Sequence, residues 1–152
     1  MLLKRTQVIR RPVEEVFATV IDAGNFAAWN PTIKASRKLN EGEIGNGSRF
    51  EWQLRGFGKV IQEFQEFKRN ERVRIVPQLK SLSGGHRFLF TADADGTRID
   101  HELEMVPHGL FRLFGPMVAR AGRKNLRDTA AALQAHLESG RAHSENDPGA
   151  AR

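Results

Sequence analysis

Residues 96–107, GTRIDHELEMVP, alternate without a break: Thr97, Ile99, His101, Leu103 and Met105 fall on one face of an extended chain, and Arg98, Asp100, Glu102 and Glu104 on the other. A strand with one apolar and one charged face belongs to an antiparallel sheet packed on a single side. Past Pro107 the period changes. Phe111, Phe114, Val118, Gly122, Leu126, Thr129, Leu133 and Leu137 follow at spacings of three and four, a stripe of roughly seven helical turns. A one-sided strand leading into a long one-sided helix predicts an α+β fold in which the helix covers the sheet. Pro116 interrupts the helical stretch, so an irregularity is expected near Gly115.

Upstream of this pair the chain reads as a first strand over 2–10, followed by a helix. Pro12 suits a helix's first turn, Glu14 and Glu15 favour its positive end, and Val13, Val16, Phe17 and Val20 are spaced helically. The segment DAGNFAAWNPTIKAS, residues 22–36, supplies a second short helix that Asn30-Pro31 must end. Strands are then expected over 33–39, 48–54, 59–67, 72–76, 86–92 and 97–105, separated by turns rich in Gly, Asn and Asp. For 59–67 and 72–76 both faces carry apolar residues, which leaves their register open. The expected domain is 1–138, with 139–152 a disordered tail lacking apolar periodicity.

Composition narrows the function. The chain has 152 residues, enough for one domain with a real core, and no apolar run of the length that spans a bilayer. The absence of cysteine excludes disulfides, thiolate metal sites and thiol nucleophiles, and the absence of tyrosine excludes phenol acids. Charges at Lys4, Arg5, Arg10 and Arg11 break up any secretory leader, so a cytoplasmic protein is expected. Net charge is 24 − 18 = +6, with a sequence pI near 10.3, which raises the question of an anionic partner.

Three stretches carry a resemblance: RPVEEVFATVIDAGNFAAWNP at 11–31, GTRIDHELEMVP at 96–107, and GLFRLFGPMVARAGRKNLRDTAAALQAHLE at 109–138. In this order and spacing they resemble the START-like or Bet v 1-like superfamily, also called SRPBCC, and in particular its polyketide cyclase/dehydrase and lipid-transport branch. The resemblance implies a helix-grip fold, a curved sheet of about seven strands around a long C-terminal helix, with a cavity between them. It also implies that the two short helices close one end of that cavity. It does not choose among the carriers, cyclases and receptors that share the fold.

On this reading Phe26 and Trp29 gate the cavity, and Phe50, Trp52, Phe64, Phe88, Phe90, His101, Phe114, Val118 and Gly122 line it. Plain core packing of the same aromatics looks identical in sequence. Ten Phe and no Tyr suit a hydrophobic ligand such as a lipid, isoprenoid or polyketide, and no cofactor or metal is expected. His101, on the apolar face, is the candidate acid/base if the protein is a cyclase or dehydratase. A third reading is an interaction module whose Arg120, Arg123, Lys124 and Arg127 face an anionic surface. Nucleic acid is not expected, because no aromatics interleave these charges.

Overall fold

The computed structural model describes the backbone of residues 1–145 and the side chains of residues 1–139. Along it run β1 (Leu2–Ile9), α1 (Val13–Ile21), a 3-10 helix (Ala23–Ala28), β2 (Ile33–Lys38), β3 (Arg49–Leu54), β4 (Gly58–Lys68) and β5 (Arg72–Pro77). β6 (Leu82–Asp93), β7 (Gly96–Pro107), a second 3-10 helix (Gly109–Phe114) and α2 (Gly115–Glu145) complete it. The expected order of strand, two short helices, six-stranded meander and long helix is therefore present. β2 to β7 pair antiparallel in succession and β1 pairs with β7, giving one sheet in the order β1-β7-β6-β5-β4-β3-β2.

Local chemistry explains the joints. The Pro12 carbonyl accepts from Glu15 and Val16 N–H to open α1, which buries Val16, Phe17 and Val20. The first 3-10 helix ends where the Asn30 side-chain oxygen accepts from both the backbone N–H and the hydroxyl of Thr32, at 3.0 and 2.7 Å. This Asx turn bends the chain into β2. Asn30 is itself buried, and its amide donates to Thr129 on α2 at 3.5 Å, so the corner is tied to the long helix.

The open register of β4 is resolved by a bulge. Val60, Gln62 and Phe64 face the core; Glu66 then adopts φ 51°, and the pairing with β5 shifts between Gln65 and Lys68. The extra residue turns Phe67 inward as well, against Phe17 at a ring separation of 5.5 Å. On the convex side Arg87 holds the bulge in place, with two bonds to the Glu66 carboxylate at 2.6 and 2.9 Å and one to Glu102 at 2.7 Å. In β5 it is Val73 and Ile75 that point inward.

α2 begins at Gly115 with Pro116 in its first turn, where a proline lacks nothing. The irregularity near Gly115 is thus a restart. Its buried stripe runs Val118, Gly122, Leu126, Thr129, Leu133, Leu137, as the spacing predicts. Phe111 and Phe114 do not belong to that stripe: they sit on the second 3-10 helix and are 40 % and 47 % exposed. The helix also continues through Glu145, so residues 139–145 extend α2 where a disordered tail was expected; residues 146–152 lie outside the described residues. α2 packs on β1 and β7, the first 3-10 helix on β2 and β3, and α1 on β6 and β7.

Candidate functional site

The concave face of the sheet is not uniform. Near the β6–β7 hairpin it is sealed: Ile9, Phe90, Thr97 and Ile99 are buried beneath Phe17 of α1, whose ring meets Phe90 edge-on at 5.3 Å. Toward the opposite end, where β5 ends, β6 begins and β7 runs into Pro107, the inward residues Pro77, Leu82, His86, Leu103 and Met105 are only partly buried. Leu3 of β1 lies opposite Leu103, His86 opposite both Leu103 and Ile75, and Gln62 opposite Pro77. The concave face is therefore closed at one end and half-open at the other.

Two polar residues stand in this half-open region. The first, Gln62, is 6 % exposed on an otherwise apolar row between Phe50 and Pro77, and its amide has no hydrogen-bond partner among the described residues. The second is His86, and its state follows from a chain of bonds. Gln7 on β1 donates from Nε2 to the Ala130 carbonyl of α2 at 2.9 Å, and a carbonyl can only accept. Gln7 Oε1 must then face His101 Nε2, 2.6 Å away, and that nitrogen must carry the hydrogen.

His101 is neutral near pH 7: burial, with the charge of Arg5 and against the pull of Asp100, pushes it down from 6.5 to about 4. Its Nδ1 is therefore an acceptor, and His86 Nε2, at 3.0 Å, is the donor to it. His86 is also held well below the usual histidine range, by burial first and His101 second. Its Nδ1 is left as a bare acceptor. Every fully buried side-chain nitrogen and oxygen among the described residues has a partner, so His86 Nδ1 and the Gln62 amide, which have none, reach open space. The chain α2–Gln7–His101–His86 thus fixes which histidine nitrogen is offered, and as what.

The residues expected to line a cavity divide. Phe50 and Phe64 pack together at 4.9 Å, and with Phe88 they are at most 1 % exposed; Phe90 is nearly as deep. Phe26 is also buried, 1 % exposed and stacked on Trp52 at 4.9 Å. Trp52 donates from Nε1 to the Ala23 carbonyl at 3.0 Å, fastening the first 3-10 helix to the sheet. Trp29 lies half-buried on an outer cleft of about 310 Å3 beside His136, between α1 and α2. Val118 faces inward on α2, one turn before Gly122.

Three expectations need correction. Phe114 is on the exposed second 3-10 helix and lines nothing on the concave face, because the helical stripe restarts after Gly115. Gly122 does not make room for a ligand: a Cβ there would strike the Met105 sulfur and lie 3.2 Å from Leu3 Cδ1, so the glycine serves the contact of α2 with β7 and β1. His101 has both ring nitrogens engaged by protein, which leaves none to touch a ligand directly. The residues the sequence reading missed are Gln7, Gln62 and His86. Their signal was weak: only Gln62, between Val60 and Phe64 on its face of the strand, stands out as a polar residue among apolar neighbours. No group of three or more potential metal-binding side chains occurs among the described residues.

Comparison with known proteins places this architecture. The family described as polyketide cyclase / dehydrase and lipid transport matches residues 2–138. A START superfamily protein from Mycobacterium smegmatis superposes with a TM-score of 0.77 at 21 % identity, over 91 % of this chain and 97 % of that one. A protein from Thermus thermophilus gives 0.76 at 16 % identity, over 92 % and 99 %. The di-domain aromatase/cyclase StfQ of the steffimycin biosynthetic pathway gives 0.73 at 11 % identity, this chain spanning 51 % of it. No curated protein of similar sequence is found. The structural likenesses, all below a quarter identity, establish the START-like helix-grip fold, and the match over 2–138 establishes the kinship: the chain belongs to the polyketide cyclase / dehydrase and lipid transport family.

Proposed function

We propose that the protein binds a hydrophobic small molecule, of the lipid, isoprenoid or polyketide-like kind, at the half-open end of the concave sheet face. The observation that carries this reading is the pair of unpartnered polar groups, Gln62 and His86 Nδ1, set among apolar side chains. Both groups reach space that water can enter, and a ligand's polar group can take that water's place. Apolar walls supply affinity and a few placed polar groups supply orientation. With Nδ1 of a neutral His86 as a pure acceptor, the favoured ligand presents a hydroxyl or N–H there.

The test compares the purified protein's mass under native and denaturing conditions, then titrates hydroxylated and non-hydroxylated lipids and aromatic polyketides against Trp fluorescence. Hydroxylated members should bind, and His86→Phe and Gln62→Leu should each weaken them about tenfold or more while retaining the fold. If no panel member binds and both variants are simply more stable than the parent, the polar pair is structural and the reading fails.

A catalytic variant of the same reading, a cyclase or dehydratase, moves from His101 to His86, because only His86 offers a lone pair. It predicts that His86→Gln abolishes turnover of a bound polyketide while His101→Gln slows it through misplaced His86. Binding without any turnover by the parent protein would leave the carrier reading alone.

A further inference from the structure

The second 3-10 helix and the start of α2 expose large apolar side chains in close order: Leu110 at 80 %, Leu113 at 77 %, Met117 at 61 %, Phe114 at 47 % and Phe111 at 40 %. In a 3-10 helix residues three apart eclipse. Leu110 and Leu113 therefore form one row and Phe111 and Phe114 the next, their rings 6.4 Å apart, while Arg112 occupies the third. Met117 continues the Phe114 row onto α2, and Arg120 and Lys124 follow on the same exposed side at helical spacing. Nothing in the described residues covers this patch, and an exposed cluster of this kind marks an interaction surface.

Charge decides the partner. From Met105 to Arg127 the sequence contains no Asp or Glu, and it carries Arg112, Arg120, Arg123, Lys124 and Arg127. Lys124 and Arg127 both pair with Asp128, at 2.6 and 3.4 Å, whereas Arg112, Arg120 and Arg123 make no ion pair among the described residues. A second copy docking by two-fold symmetry would set these arginines against their own equivalents. An apolar wedge rimmed by unpaired arginines instead fits an anionic lipid surface, side chains entering the acyl boundary and guanidinium groups meeting headgroups.

We propose that residues 109–123 dock the protein peripherally on anionic bilayers, with Leu110, Leu113 and Met117 inserted and Arg112, Arg120 and Arg123 on the headgroups. No described helix is long and apolar enough to cross a membrane, so the attachment is to one leaflet's surface. The docking segment leaves the sheet from Pro107, at the same end as the half-open groove. Docking of this kind does not depend on whether that groove holds a ligand.

The experiment is flotation of the full chain with phosphatidylcholine vesicles and with phosphatidylcholine vesicles containing phosphatidylserine. The parent should float with the anionic vesicles and not the neutral ones. L110E/L113E, at positions too exposed to disturb the fold, should abolish flotation with its thermal midpoint unchanged, and each of Arg112→Gln, Arg120→Gln and Arg123→Gln should weaken it about fivefold. Leu110→Trp should shift its emission to the blue on anionic vesicles. Failure to float, equal binding to neutral vesicles, or full binding by L110E/L113E overturns the proposal. So does a dimer in sedimentation that L110E/L113E dissociates, since the patch would then be a contact between copies.

Discussion

His101 is a histidine kept from acting as an ordinary one. Unfolded, it takes a proton near 6.5; folded, only near 4. The unfolded chain therefore binds more protons between these values, and its contribution to stability is complete above about pH 6.5 and falls away as the pH drops toward 4. The difference is worth about 3 kcal/mol. Urea unfolding at pH 7.5 and pH 5 should show a marked loss at the lower pH, and His101→Gln should flatten the dependence. His86, shifted in the same direction, adds to the slope. At the same scale, Gln7→Glu would set a carboxylate 2.6 Å from the ring and remove the donor to Ala130. The His101 resonances should then titrate at a higher pH than in the parent.

How much of this could be read in the sequence depended on distance. The inward side of β7 followed from alternation alone, since each side chain's face is set by its own strand. The partnership of His86 with His101 did not. It needs the register of β6 against β7, which places Phe88 opposite His101 and brings His86 onto it diagonally. Lacking that register, His86 reads only as the first residue of a strand. The bulge at Glu66 was equally hidden, because a non-glycine at positive φ carries no mark in sequence; the Arg87 carboxylate clamp that supports it comes from another strand.

Elements show where spacing misleads. Phe111 and Phe114, three apart, fit an α-helical stripe and a 3-10 helix alike, and only the restart at Gly115 separates them from the buried run that follows. What the stripe predicted from Val118 onward was right because α2 lies flat on β1 and β7 there. The close approach of β6 and β7 depends on Gly84, at φ 112°, where a Cβ would strike the Glu104 carbonyl. Gly84→Ala should cost about 2–4 kcal/mol in a denaturant titration, through backbone strain that no side-chain movement relieves. Phe64→Ala should cost about 3–5 kcal/mol, as for a core ring and not the wall of an open cavity. A cost below about 1 kcal/mol would show that Phe64 has space to spare.

On the scale of the whole molecule, the sequence carried the architecture almost entire, whereas the polar groups of the candidate site were not legible in it. Architecture rests on periodicity, which any amphipathic element repeats many times over; a site rests on two or three polar atoms that long-range pairing brings together. The sheet order has a further implication for how the chain comes into being. β1 has a single neighbour in the sheet, β7, and Leu2 is aligned with Glu104. During synthesis the first strand must wait, unpaired, until nearly every other strand has emerged, and loop closure over such a span is slow. Nascent chains halted before Gly96 should remain open to protease, and protection should arrive abruptly once β7 and the first turns of α2 are free of the ribosome. Until then the two halves of the Gln7–His101 contact do not share a sheet, so the histidine wiring is among the last things the newborn protein acquires.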